Sequence, residues 1–133
     1  MYRLECVKEI FIVFAEIPHK SNKNNYEKLR LVFDPGAAYT LIDTGIIDDL
    51  GYSAQENMER ISSLDGAAGK SEGYMIKLAK FKCLDQELKN FEIACHDLNS
   101  NLGISGLLGM NFFKNFRMDI NFKTGVVHTI KKV

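Results

Sequence analysis

Strong net charge is missing from this sequence, and so is an even set of cysteines. Lys and Arg together number 17, as do Asp and Glu, so no global field draws the chain to nucleic acid or anionic lipid. The cysteines are Cys6, Cys83 and Cys95, an odd number that does not fit the disulfide framework of a small secreted domain. Reduced thiols are the simpler interpretation of the cysteines and indicate a cytoplasmic protein. The zero net charge indicates that it has no nucleic-acid partner.

Long apolar runs are also missing. The apolar run at residues 10–14 is too short to cross a bilayer, so no membrane partner is expected. Charged residues flank this run and no small-residue cleavage site follows it, which favours a buried strand over a signal peptide. A length of 133 residues, with 46% apolar and 26% charged, fits one globular domain, predicted over residues 1–133.

Short apolar segments separated by turn residues recur along the chain, which is a pattern typical of strands. Asp43 or Thr44 can cap a short helix over 45–50, and Asn111 can cap one helical turn that ends near Asn115. Because no alternating βαβ pattern is present, the sequence predicts an all-β fold, a small closed β-barrel with one or two short helices. Strands are predicted over 4–17, 28–33, 39–42, 58–64, 73–81, 88–96, 116–122 and 126–131.

The most informative segment is the apolar strand 31–33, which leads directly into Asp34, Pro35 and Gly36. A carboxylate at the end of a buried strand is costly to desolvate unless it is paired or hydrogen-bonded. Asp-Pro-Gly is also good turn chemistry, so this segment alone favours a plain surface turn.

A second segment changes that interpretation. Residues 106–109 read Gly-Leu-Leu-Gly, and a short helical segment and a final hairpin follow. In this order the two segments resemble the retropepsin-like aspartic proteases, in which an apolar strand ends in Asp-(Thr or Ser)-Gly-Ala and an apolar-apolar-Gly element comes much later. The resemblance extends over residues 10–131, and residues 61–66 look like the flap, the hairpin that folds over bound peptide.

The resemblance implies a homodimer, because a chain with one Asp-x-Gly motif supplies only one carboxylate of the catalytic pair. Asp34 and the partner subunit's Asp34 would share one proton, a behaviour for which aspartic proteases are the general example. The ionised carboxylate activates a water and the protonated one polarises the scissile carbonyl of a peptide or protein substrate, with no metal or cofactor. The implied substrate-binding residues are Gly36, Ala37, Ala38, Leu64, Asp65, Gly66 and Ala67.

Position 35 departs from the family pattern. Pro35 stands where relatives have Thr or Ser, whose hydroxyl and N–H join a hydrogen-bond network across the dimer axis. Proline supplies neither group, and each lost bond is worth about 1 kcal/mol net. Two hypotheses follow, an aspartic endopeptidase with Asp34 as its catalytic residue and a catalytically silent module that dimerises or binds peptide. An unrelated β-barrel with a surface turn at Asp34 is a third.

Other candidate sites have weaker patterns. Cys95 and His96 are adjacent, so on a strand they point to opposite faces, which disfavours both a metal site and a Cys–His nucleophile pair. Gly103, Gly106 and Gly109 do not make the Gly-x-Gly-x-x-Gly motif of a nucleotide-binding loop. The sequence therefore predicts no second catalytic or metal centre.

Overall fold

The computed structural model describes residues 1–66, 69–98 and 103–133. Ala67 and Ala68 of the predicted flap turn lie outside the described residues, as do residues 99–102. Within these ranges the elements, in chain order, are β1 (Tyr2–Arg3), β2 (Glu5–Val7), β3 (Ile10–Pro18), β4 (Tyr26–Phe33), β5 (Leu41–Asp43), α1 (Thr44–Asp49), α2 (Ala54–Asn57), β6 (Arg60–Gly66), β7 (Gly69–Cys83), β8 (Gln86–His96), β9 (Gly106–Leu108), α3 (Met110–Phe113), β10 (Phe116–Asn121) and β11 (Val126–Lys132).

Six strands form a ring in the order β3, β4, β9, β5, β8 and β7. The ring closes because β7 also pairs with β3, where Ala15 lies opposite Cys83 and Glu16 opposite Lys82. Strand β9 is parallel to β4 and antiparallel to β5, so it joins the two ends of the segment that contains Asp34. This ring, with its short helices, confirms the predicted all-β barrel fold.

The interior of the ring is apolar because alternate residues of each strand point inward. On β3 the inward residues include Val13, Ala15 and Ile17, each completely buried. The aromatic ring of Phe112 on α3 packs edge-on against Phe81, with 6.0 Å between ring centroids. Burying a side chain of this size contributes roughly 1.5–3 kcal/mol, so α3 is fixed firmly to the barrel.

A second, three-stranded sheet consists of β1, β11 and β10. All of its pairings are antiparallel, and β10 and β11 form the predicted final hairpin. The flap prediction also has a counterpart, since β6 and β7 form an antiparallel hairpin in which Gly66 lies opposite Gly69. The predicted strands at 58–64 and 73–81 therefore extend further toward the turn than the sequence indicates.

The helix termini match the sequence in one place and differ in another. Asp43 caps α1 as predicted, since its Oδ2 accepts a hydrogen bond from the N–H of Gly45 at 3.1 Å. The predicted cap at Asn111 is wrong, because Gly109 is the N-cap of α3 and Asn111 lies inside the helix. The Asn111 side chain reaches Thr40 on another segment, and this tertiary partner replaces the local one. Helix α2 is not predicted by the sequence.

Within the described ranges, no helix has the length and apolar character needed to cross a membrane. Cys6, Cys83 and Cys95 are all free thiols, and only Cys6 is exposed.

Candidate active site

Asp34 lies at the end of β4, where the parallel ladder with β9 finishes. Its N–H donates to the carbonyl of Leu108 at 3.0 Å, which extends the ladder by one bond. Its Oδ1 accepts a hydrogen bond from the N–H of Gly36 at 3.0 Å, and its carbonyl accepts one from the N–H of Ala37 at 3.1 Å. The half-buried carboxylate is therefore held in a fixed turn by backbone N–H groups.

The loop that follows Asp34 rests on the start of α3. The N–H of Met110 donates to the carbonyl of Ala37 at 2.7 Å, and the next N–H, of Asn111, donates to Ala38 at 3.1 Å. A Cβ at Gly109 would lie only 2.4 Å from the carbonyl carbon of Tyr39. The Gly-Leu-Leu-Gly motif thus ends in glycine because the two backbones touch there.

A buried polar network fixes the far end of this loop. Thr40 is completely buried, and both its N–H and its hydroxyl donate to Oδ1 of Asn111, at 2.7 and 2.9 Å. The N–H of Gly109 in turn donates to the Thr40 hydroxyl at 3.1 Å, and Nδ2 of Asn111 donates to the carbonyl of Glu92 at 2.7 Å. A satisfied network of this kind makes the loop conformation unique. The sequence does not predict it, since its only local signal is one threonine inside an apolar strand.

A cleft of about 620 Å³ separates the 36–39 loop from the β6–β7 hairpin. Its floor is apolar and consists of Leu41, Met75, Ala94 and Leu107. One wall is the 36–39 loop, and the other is β6 from Arg60 to Leu64. An open cleft with an apolar floor between a loop and a strand is suited to an extended peptide.

Four of the predicted substrate-binding residues meet in this cleft, namely Gly36, Ala37, Ala38 and Leu64. Asp65 and Gly66 belong to the same hairpin, opposite Lys70 and Gly69, and Ala67 lies outside the described residues. Asp34 does not line the cleft of a single chain. It precedes the lining residue Gly36, whose N–H binds its carboxylate.

Arg60 forms the rim of the cleft, a feature that the sequence does not predict. Its guanidinium binds both carboxylate oxygens of Glu92 on β8, with one of the two distances at 2.7 Å. The guanidinium also lies over the ring of Tyr39, 5.9 Å from the ring centroid. Hydrogen bonding to Arg60 lowers the pKa of Glu92, so the pair stays ionised. The Arg60 side chain thus connects the base of the hairpin to β8 of the barrel and to Tyr39 of the 36–39 loop.

Metal ligands are not grouped in this part of the molecule. Across residues 1–66, 69–98 and 103–133, no cluster of three or more His, Cys, Asp or Glu side chains could hold a metal ion.

Residues 20–112 match the model of a protein family described as aspartyl protease. The chain belongs to the aspartyl protease family. This match spans the Asp34 turn, the β6–β7 hairpin and most of α3, and it confirms the resemblance drawn from the two sequence motifs. No curated protein matches the chain.

Solved structures agree with the family on the fold. A retropepsin-like aspartic protease from Rickettsia conorii is 20% identical with a TM-score of 0.66, covering 98% of this chain and 97% of that one. The retroviral protease-like domain of Ddi1 from Leishmania major is 14% identical with a TM-score of 0.61, covering 100% of this chain and 91% of that one. EIAV protease, complexed with the inhibitor HBY-793, is 18% identical with a TM-score of 0.53 and covers 86% of this chain and 91% of that one.

Proposed function

We propose that the chain is a homodimeric aspartic endopeptidase, in which Asp34 and the partner subunit's Asp34 hold the attacking water between them. The observation that carries this proposal is the Asp34 carboxylate, fixed at the end of β4 by the N–H of Gly36 at 3.0 Å and followed at once by the cleft wall. Membership of the aspartyl protease family supports the same role.

The chemistry follows from placing two such carboxylates side by side. Like charges at close range are unfavourable, so the pair binds one proton between them and titrates as a unit. The N–H of Gly36 occupies Oδ1 of Asp34, which leaves Oδ2 of the ionised member of the pair to accept the proton of the water. The protonated partner donates to the scissile carbonyl and stabilises the charge that develops on it.

The cleft supplies the substrate site in this proposal. An extended peptide would lie between the 36–38 loop and β6, with an apolar side chain on the floor formed by Leu41, Met75, Ala94 and Leu107. Gly36, Ala37 and Ala38 would contact the peptide from the loop side. Leu64, Asp65, Gly66 and Ala67 would contact it from the hairpin.

Exposed residues beside Asp34 support the dimer. Pro35 and Gly36 are exposed, and Met110, at the start of α3, is 46% exposed although it is a large apolar residue. Pro35 and Gly36 follow Asp34 directly, and Met110 is bonded through its N–H to the carbonyl of Ala37 in the same loop, so all three would lie near a two-fold axis that brings two Asp34 carboxylates together. Burial of this apolar surface would favour pairing of the chains.

Pro35 favours a second candidate, a catalytically silent module that dimerises and binds peptide. It is exposed next to Asp34 and has no N–H or hydroxyl to donate across the dimer axis. If that network is needed for activity, Pro35→Thr restores both groups and should raise the cleavage rate.

Turnover of a broad peptide library between about pH 4 and pH 7 tests the proposal, because a shared proton is best retained in mild acid. Wild type should cleave, Asp34→Asn should not, and the exposed Asp49→Asn should match wild type as a control. Sedimentation should show dimers for all three. Undiminished cleavage by Asp34→Asn would remove Asp34 from the mechanism, whereas dimers that never cleave, even as Pro35→Thr, would establish the silent module.

A further inference from the structure

His96 closes β8 directly beneath the hairpin that borders the cleft. In the strand registers, Asp43 on β5 lies beside His96, and Ser62 on β6 lies opposite Gly73 on β7. The His96 ring lies across Gly73, since a Cβ there would come within 2.8 Å of Nδ1 and 2.0 Å of the Cys95 carbonyl oxygen. Glycine at position 73 thus leaves room for the ring.

Both ring nitrogens of His96 bind hydroxyls of the hairpin. Nε2 lies 2.9 Å from Oγ of Ser62 on β6, and Nδ1 lies 3.2 Å from Oγ of Ser71 on β7. Ser62 is also one of the residues that line the cleft. One imidazole therefore fastens both strands of the hairpin to β8, and with them in place it is only 1% exposed.

We propose that His96 is a positioning residue that holds the β6–β7 hairpin closed over the cleft while its imidazole is neutral and releases the hairpin when it is protonated. This inference rests on the peptide-binding role proposed above for the cleft. It adds a function for a residue that takes no part in the chemistry at Asp34.

The surroundings of His96 suit the neutral ring. Burial lowers the pKa of His96, and the charge of Asp97 only partly opposes this effect. Asp43 is already engaged, accepting from the N–H groups of Gly45 and Leu98. In the described part of the chain, His96 forms no ion pair. The charged and titratable residues that neighbour it in the strand registers are Asp43 on β5, Arg60 on β6, Lys70, Glu72 and Tyr74 on β7, and Cys95 and Asp97 on β8 and just beyond it.

The sign of the pH effect follows from this burial. Serine hydroxyls can accept from both nitrogens of a protonated ring, so the hydrogen bonds alone do not prevent protonation. The penalty comes from a charge without a counterion in a buried site, and it is relieved when the hairpin lifts and water reaches the ring. The closed hairpin is therefore favoured above the ordinary histidine pKa of about 6.5, and opening increases as the pH falls below it.

Hydrogen exchange in the peptide-free protein tests this switch. At each pH the exchange rates of amides at 60–66 and 69–75 are compared between wild type and His96→Gln, so that the intrinsic pH dependence cancels. The wild-type hairpin should lose protection relative to the variant as the pH falls from 7.5 to 5, by about tenfold for each unit that separates the ring's pKa in the closed and open states. The exposed His128→Gln should behave as wild type. A constant ratio across the pH range would overturn the proposal.

A titration of the wild-type protein by NMR covers the case in which His96→Gln does not fold. The backbone amides of Ser62 and Ser71 should shift with the same midpoint as the His96 ring protons, and this midpoint should lie below the ordinary histidine pKa of about 6.5. Hairpin amides that show no such midpoint would refute the switch. Neither measurement uses cleavage, so an inactive protein with a pH-responsive hairpin would contradict only the proposed peptidase activity.

Discussion

Oδ1 of Asn111 accepts two hydrogen bonds from Thr40, one from its N–H and one from its hydroxyl, across 71 positions of sequence. The two residues hold the end of the Asp34 loop against α3. Stability and loop conformation therefore depend on the same side-chain amide.

Asn111→Ala should lower the free energy of unfolding by about 2–4 kcal/mol, because it leaves two buried donors of Thr40 without an acceptor. Urea denaturation followed by circular dichroism measures the change. Asn24→Ala, in an exposed loop, is the matched control and should change stability by no more than about 0.5 kcal/mol. Equal stability of the two variants would show that the Thr40 network is dispensable.

Gly73→Ala should destabilise the fold by at least 1–3 kcal/mol, the usual range for overpacking, since the new Cβ would overlap the carbonyl of Cys95 and the His96 ring. Gly45→Ala provides the comparison, because its Cβ would meet only a side-chain oxygen of Asp43 at 3.1 Å. Thermal and urea unfolding should give Gly73→Ala a much lower free energy of unfolding than Gly45→Ala. The reverse ranking would mean that β7 can move away from β8 at little cost.

Thiol modification should distinguish the three cysteines. Cys6 is exposed, whereas burial raises the pKa of Cys95 to about 12 and raises that of Cys83 as well. Because the thiolate is the reactive form, one thiol of the native protein should react rapidly near pH 8 and the other two should react only on unfolding. Cys6→Ser should abolish the fast phase. Rapid modification of two or three thiols in the native protein would contradict the burial of Cys83 and Cys95.

The sequence predicts those features that depend on neighbouring residues. Gly36 follows Asp34 closely enough to bind its carboxylate, Asp43 caps the helix that starts after it, and adjacent Cys95 and His96 point to opposite faces of β8. Each of these relations is set by local backbone geometry, so a motif within a few residues is sufficient to indicate it.

The remainder of the site depends on strand order, which no local pattern encodes. Asn111 meets Thr40 because β9 inserts between β4 and β5, and His96 meets Ser62 because β6, β7 and β8 lie side by side in register. For the same reason Asn111 is mistaken for a helix cap, since its tertiary partner is invisible in the sequence around it. Polar residues on strands thus gain their roles only after the barrel has closed.

The insertion of β9 between β4 and β5 also sets an order of events during synthesis. Asp34 leaves the ribosome early, but the carbonyl of Leu108 and the side chain of Asn111 that complete its loop are made much later. A nascent chain therefore carries the aspartate without the surface that fixes it, because these non-local pairings must wait for loop closure. A growing chain therefore has no assembled cleft until β9 and α3 have been made and have packed against β4 and β5.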